Sequence, residues 1–153
     1  MMRTIAVFLL PLLLIGLSGC GGSSSEDASS DAGNGSSGSP QVGPIETVDL
    51  GDIEDDLAEK GEEIFNTRCT TCHKLDEEHI GPTLRDVTNR RDPAYIMNMI
   101  LAPEDMIQKH PTAKELFAEY GTMMTNQNLS EDQARAILEY LRKAGKQESA
   151  SGS

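Results

Sequence analysis

Two cysteines and a histidine stand close together in the run Cys69-Thr70-Thr71-Cys72-His73. The spacing C-x-x-C-H is the pattern by which a haem is attached covalently to a protein. Two thiols three positions apart can each add to one of the vinyl groups on the porphyrin edge, and the histidine that follows is then held under the iron. The run therefore predicts one covalently bound haem c, attached through Cys69 and Cys72, with His73 as an axial ligand of the iron.

Other chemistry is compatible with the same spacing. The pair could be a thioredoxin-like redox dithiol, half of a zinc site, or a chance occurrence. A redox dithiol is expected in a βαβ unit, which the sequence lacks, and a zinc site needs two more ligands. The chain has one further cysteine, Cys20, far from the pair. The rest of the chain therefore favours haem.

The N-terminus has the features of an export signal. Arg3 precedes an apolar run over 5–14, which is shorter than the roughly 20 residues of a membrane-spanning helix. The run ends at Leu17-Ser18-Gly19-Cys20, which resembles the lipobox of bacterial lipoproteins, whose cysteine is lipidated after cleavage. An ordinary signal peptide with an incidental cysteine is the alternative. We expect a signal peptide over 1–19 and a lipid on Cys20, anchoring the protein to a bacterial membrane on its periplasmic or exterior side.

Composition divides the remainder. Residues 20–48 are rich in Ser and Gly with a few acids, which predicts a flexible tether. Residues 49–146 can form one small domain, and a covalent haem would supply much of its core. Residues 147–153 are predicted to be a disordered tail.

Hydrophobic spacing predicts only helices in the domain. A first helix is expected over about 53–67. A second is expected from the Asp92-Pro93 N-cap to just before Pro103, and a third over 112–120, ended by Gly121. The third helix is expected to turn three side chains inward: Leu116, Phe117 and Tyr120.

The last helix has the strongest signals. Ser130 and Gln133 fit a capping box, and Gly145 is predicted to end the helix. Its apolar stripe consists of Ala134, Ile137, Leu138 and Leu141. Since no run alternates over the length of a strand, the fold class is predicted to be all-α.

The order of these features resembles that of class I c-type cytochromes, and the resemblance covers the whole domain. Gly61 and Phe65 stand where that family has a glycine and an aromatic ahead of the haem motif, and Tyr140-Leu141 where its last helix crosses the first. Gly81-Pro82-Thr83-Leu84 looks like the family's loop. The resemblance implies a small helical domain around one haem, with the Pro82 carbonyl accepting a hydrogen bond from His73.

The resemblance also implies a methionine as the second axial ligand of the iron, in a loop before the last helix. Met124 lies at the better offset from Leu129, and Met123 is the alternative. Thr125 replaces the proline that usually follows this methionine. His79 and His110 could instead give bis-histidine ligation, but a solvated surface position is favoured for both.

His/Met ligation raises the reduction potential of a haem and leaves no open position for a substrate. The resemblance therefore implies an electron carrier between extracytoplasmic respiratory partners, not an enzyme, with no small-molecule substrate. Two alternatives remain open. One is the haem module of a larger oxidoreductase complex. The other is an open-iron haem sensor or peroxidase-like protein, which would require Met124 to be absent from the iron.

The formal net charge is −12 and the pI is about 4.5. Such acidity excludes nucleic-acid binding and would repel anionic lipid, so the lipid on Cys20 would have to hold the protein at the membrane. Because a charge excess steers partners of opposite sign, we expect redox protein partners with a basic docking patch. Acidity that serves only solubility is the alternative.

Overall fold

The computed structural model of the protein describes residues 40–151, which belong to one compact unit. The helices in this range are α1 (Asp55–Arg68), α2 (Val87–Arg90), α3 (Pro93–Leu101), α4 (Pro103–Lys109), α5 (Pro111–Tyr120) and α6 (Glu131–Ser151). These residues contain no strand, so the predicted all-α fold is confirmed. None of their helices is both long enough and apolar enough to cross a membrane.

The domain is organised around α6, which packs on α1, α2 and α3, while α5 packs on α4. α1 and α6 cross where Gly61 meets Ala136, and the rings of Phe65 and Tyr140 lie 5.3 Å apart between the same helices. The predicted crossing of the first and last helices is therefore confirmed. The predicted apolar stripe of α6 is buried in full: Ala134, Ile137, Leu138 and Leu141.

The helix boundaries that rest on capping residues agree with the sequence. The side chain of Asp92 accepts a hydrogen bond from the backbone N–H of Ala94 at 2.8 Å and so caps α3. Ser130 and Gln133 form the reciprocal capping box. Gly121 ends α5 in the left-handed conformation, at φ 64°.

Two short helices were not predicted. α2 is a single turn, too short to show an apolar period. α4 begins at Pro103, which the sequence indicated only as the end of the preceding helix. A proline cannot continue a helix but fits its first turn, because its missing N–H has no partner there in any case. Pro103 therefore separates α3 from a new helix.

The predicted end of α6 at Gly145 is wrong, since the helix continues to Ser151. The predicted disordered tail over 147–153 is therefore wrong up to Ser151. Gly145 is buried, and a Cβ on it would lie 2.9 Å from the carbonyl oxygen of Arg85. A glycine here permits close packing of the helix against the backbone before α2.

The predicted start of the domain at residue 49 is also wrong, because Val42 and Ile45 are buried. The side-chain amide of Asn98 pairs with the backbone of Ile45 in both directions: Oδ1 accepts from its N–H at 2.9 Å, and Nδ2 donates to its carbonyl at 2.8 Å. Two apolar residues among polar ones give no period from which this packing could be predicted. The signal peptide, Cys20 and the tether up to residue 39 lie outside the described residues.

A buried ion cluster holds the next part of this segment. The Glu139 side chain is completely buried and accepts from Arg135 at 3.0 Å and from Arg142 at 2.7 Å. The same arginines donate to the carbonyls of Asp49 and Gly51 at 3.0 and 2.8 Å. We call residues 42–51 the N-terminal strap, since side chains of α3 and α6 hold its backbone.

The third predicted helix is present, but its expected inward face is not buried. Ala113 is the buried residue of α5, whereas Phe117 is exposed and Leu116 and Tyr120 are half-buried. α5 contacts α4 through Ala113 in its first turn, where the side chain joins Met106 in a small cluster. The apolar side chains of its later turns lie beyond this cluster.

Candidate haem site

The C-x-x-C-H run forms a turn directly after α1. The backbone N–H of Cys69 still donates to Phe65, at 2.9 Å, and those of Cys72 and His73 both donate to Cys69, at 3.0 and 2.8 Å. The run therefore prolongs the last turn of a helix that is itself fixed against α6. The two thiols and the imidazole are presented from one rigid turn.

Both cysteines are free thiols. Cys69 is half-buried and Cys72 is exposed. Burial, together with the neighbouring Cys72, raises the pKa of the Cys69 thiol to about 11. Because neither sulfur is in a disulfide, both can form bonds to a group outside the chain.

His73 is held by the loop that follows it. Its Nδ1–H donates to the carbonyl of Pro82 at 3.1 Å. Gly81, the residue before Pro82, packs closely on the ring, because a Cβ there would lie 2.5 Å from Cε1 of the imidazole. Burial lowers the pKa of His73, while the bond to Pro82 acts in the opposite direction. A neutral ring with Nδ1 occupied leaves the lone pair of Nε2 for a metal.

The loop over 74–85 is tied back to the motif. The N–H of Gly81 donates to the Cys72 carbonyl at 2.9 Å, and that of Leu84 to the Lys74 carbonyl at 3.1 Å. The phenol of Tyr120, at the end of α5, donates to Glu78 at 2.9 Å and so joins α5 to this loop. Each of these two elements has a large exposed apolar side chain: Ile80 on the loop and Phe117 on α5.

The segment between α5 and α6, residues 121–130, is named here the methionine loop. Met124 is half-buried in it, whereas Met123 is 48% exposed. Asn126 and Asn128 take part in hydrogen bonds that tie this loop to α3 and α4 and to itself. Met124 is thus the more buried of the two methionines, and it is also the one that the distance from Leu129 in the sequence favoured as ligand.

The two remaining histidines have different surroundings. His79 is exposed, as expected. The expected surface position of His110 is wrong, because only 7% of it is exposed and its ring packs edge-on against Tyr95, with centroids 4.8 Å apart. Burial, and the charge of Arg91, lower the pKa of His110. A histidine beside a proline in a polar stretch gives no sequence signal of this packing.

The donor set fits a covalently attached haem. Two free thiols stand three positions apart on one turn, and the next residue is an imidazole with one nitrogen fixed and the other free. Exposed apolar side chains lie on the loop after this turn, at Ile80, and on α5, which Tyr120 joins to that loop, at Phe117. No group of three or more His, Cys, Asp or Glu side chains over 40–151 is arranged to hold a metal ion, so the zinc alternative finds no ligand set there.

A helical domain with this turn, the Pro82 contact and a methionine loop before its last helix defines the class I c-type cytochromes. The sequence model of the Cytochrome c family matches residues 58–145. The chain therefore belongs to the Cytochrome c family, whose members carry electrons on covalently bound haem c. Their partners are redox proteins, and they are typically extracytoplasmic.

Solved structures agree with this placement. The chain is 60% identical to cytochrome c from Rhodothermus marinus, with 69% of this chain and 91% of that one covered and a TM-score of 0.68. An engineered form of that protein, Rma TDE, matches at 60% identity, 68% and 91% coverage and a TM-score of 0.66. The cytochrome c domain of the pp3183 protein from Pseudomonas putida matches at 30% identity, 61% and 95% coverage and a TM-score of 0.54. No curated protein matches the chain.

Sequence reasoning missed the residues that support the methionine loop. Asn126 and Glu104 are both exposed and lie far apart in the sequence, yet they are joined in the structure. The spacing Asn126-Gln127-Asn128 was a usable signal, because an Asn side chain often bonds to the backbone two residues further on. Their connection to α3 and α4 had no sequence signal.

Proposed function

We propose that the protein is a mono-haem c-type cytochrome, anchored to a bacterial membrane by a lipid on Cys20, that carries single electrons between extracytoplasmic redox partners. The observation that carries the proposal is the contact between His73 and Pro82. It fixes the imidazole on the same turn as the free thiols of Cys69 and Cys72 and leaves Nε2 as the free ring nitrogen.

The chain's own residues have three roles in this proposal. Cys69 and Cys72 attach the haem, which when bound supplies a one-electron couple. His73 would hold the iron through Nε2, and the Pro82 carbonyl orients its ring and raises its basicity. Met124 would hold the iron through its thioether sulfur. Iron held by both residues would leave no place for a substrate, which favours electron transfer over catalysis. The greater burial of Met124 than of Met123 supports this choice.

Absorption spectra of the full chain test the haem assignment. The protein would be expressed in a host that attaches haem c, purified in detergent, and recorded oxidised and reduced. A sharp reduced α-band of c-type haem, with a weak far-red sulfur-to-iron band in the oxidised form, is the expected result. A high-spin spectrum would indicate open iron and favour a sensor or a peroxidase-like protein, and no covalent haem would contradict the proposal.

The anchor is tested separately with Cys20→Ala. The wild-type protein should partition with membranes and carry labelled fatty acid, and C20A should do neither. If wild type and variant partition alike, the lipid anchor is wrong while the haem assignment is untouched.

The proposed basic patch on partners predicts that the rate of electron transfer falls as salt is raised, because screening weakens the attraction to this acidic protein.

A further inference from the structure

The methionine loop is not part of a helix, so its position depends on contacts with its neighbours. Gly121 fixes the start of the loop, since it caps α5 in the left-handed conformation. Met124 follows three residues later. The next polar side chain that bonds to a residue outside the loop comes two residues after that, at Asn126.

Asn126 makes three hydrogen bonds. Its Nδ2 donates to the carbonyl of Leu101 at 3.1 Å, and its backbone N–H donates to Oε1 of Glu104 at 3.3 Å. Its Oδ1 accepts from the backbone N–H of Asn128 at 2.8 Å. Asn128 itself is left-handed, at φ 53°, a conformation that asparagine tolerates better than most residues. One residue therefore closes the loop on itself and attaches it to two helices.

The groups that Asn126 contacts are available because α3 and α4 meet at a break. Leu101 is the last residue of α3, where carbonyls run out of partners within the helix. Pro103 begins α4, and Glu104 lies in the first turn of that helix. The break at Pro103 thus presents one acceptor from each helix to the loop.

We infer that Asn126 is a positioning residue that holds Met124 on the haem iron, an inference that rests on the proposed ligation. Gly121 and Asn126 fix the loop on either side of Met124, which leaves four residues to span the interval. The chain has Thr125 directly after Met124, so no proline stiffens that interval. The anchor to Leu101 and Glu104 supplies the restraint.

Binding of imidazole to the oxidised protein measures this restraint, because imidazole must displace the methionine sulfur. The variant is Asn126→Ala in the full, haem-loaded chain. The matched control is Gln127→Ala. The side-chain amide that this substitution removes bonds to Thr125, inside the loop. Asn126→Ala removes the side-chain bonds to Leu101 and Asn128 and keeps the backbone bond to Glu104. With the loop thus loosened, N126A should bind imidazole about tenfold more tightly than wild type, with a weaker far-red band. Q127A should stay within about twofold.

Three results are informative. If N126A lowers only the unfolding temperature and leaves imidazole affinity at the value of Q127A, Asn126 is a structural residue and the inference is overturned. If N126A does not load haem, Glu104→Ala is the second test, because it removes the bond between Glu104 and the backbone N–H of Asn126. Tighter imidazole binding by E104A supports the inference, and unchanged binding overturns it. A wild-type protein without the far-red band overturns the proposed ligation, and the inference with it.

Discussion

A Cβ on Gly61 would lie 2.0 Å from the carbonyl oxygen of Ala136, so α1 and α6 touch backbone to backbone at this point. The C-x-x-C-H run begins directly after α1 ends. The crossing at Gly61 therefore fixes the helix from which the thiols and the imidazole are presented.

Gly61→Ala should destabilise the haem-loaded protein by about 3 kcal/mol. The added methyl group overlaps backbone atoms, which cannot rotate away, so the two helices must separate. The gain in helix propensity, about 1 kcal/mol, offsets only part of this cost. Urea unfolding followed by the far-ultraviolet helix signal measures the difference.

Gly51→Ala is the matched control for that experiment. A Cβ on Gly51 would have no neighbouring heavy atom within 4 Å. The substitution also keeps the backbone carbonyl that accepts a hydrogen bond from Arg142. We expect a change of less than about 0.5 kcal/mol. Equal losses in G61A and G51A would contradict the backbone contact as the cause.

Met124→Ala should lower the reduction potential and let the reduced protein bind carbon monoxide readily. Thioether ligation favours Fe(II), and axial ligands tune haem potentials over about 0.8 V, so its loss should be a large effect. Redox titration and carbon monoxide difference spectra measure the two changes. Met123→Ala is the paired variant and should change neither. The opposite pattern would show that the axial ligand is Met123.

The sequence predicted best where a residue acts on its own neighbourhood. Asp92, Gly121 and the Ser130 capping box determine helix ends locally, and each was predicted correctly. The role of Gly145 was predicted wrongly, because the sequence does not distinguish a glycine that ends a helix from one that permits close packing. Only the approach of the Arg85 carbonyl distinguishes them.

The attachment run followed from the sequence because covalent haem chemistry fixes its spacing. The surroundings of the site did not, since they depend on contacts between distant segments. The anchor from Asn126 to Leu101 spans 25 positions, and the pairing of Ile45 with Asn98 spans 53. Neither contact produces a period or a motif.

Glu139→Ala should lower the free energy of unfolding by about 3 kcal/mol. The carboxylate is fully buried, and its removal leaves the Arg135 and Arg142 guanidinium groups without their anion. Those arginines also hold the N-terminal strap, so the strap should become more sensitive to protease. Urea unfolding and limited proteolysis measure the two effects.

Asp105→Ala is the comparison for Glu139. Asp105 pairs with Lys109 at 2.6 Å, also four positions apart on a helix, but both side chains are more than half exposed. Exposed pairs contribute little, so we expect a loss of less than about 1 kcal/mol. A loss in E139A no larger than in D105A would show that burial of the carboxylate does not matter.

His110 should make the protein less stable as the pH falls below the usual pKa of histidine. Burial lowers the pKa of His110 from 6.5, and the nearby Arg91 acts in the same direction. Between the lowered folded pKa and 6.5, the unfolded chain therefore binds a proton that the folded chain does not. Stability is then retained above 6.5 and lost as the pH falls, with a slope of up to about 1.4 kcal/mol per pH unit.

His110→Phe isolates this effect, because the ring can still pack on Tyr95 but cannot titrate. Urea unfolding of both proteins would be followed from about pH 8 to about pH 5, the range around the usual histidine pKa. His73 is present in both proteins, so its titration cancels in their difference. The stability of wild type relative to H110F should be constant above about pH 7.5 and fall below 6.5. A difference that stays constant over the whole range would mean that His110 takes up its proton as readily in the folded protein as in the unfolded chain.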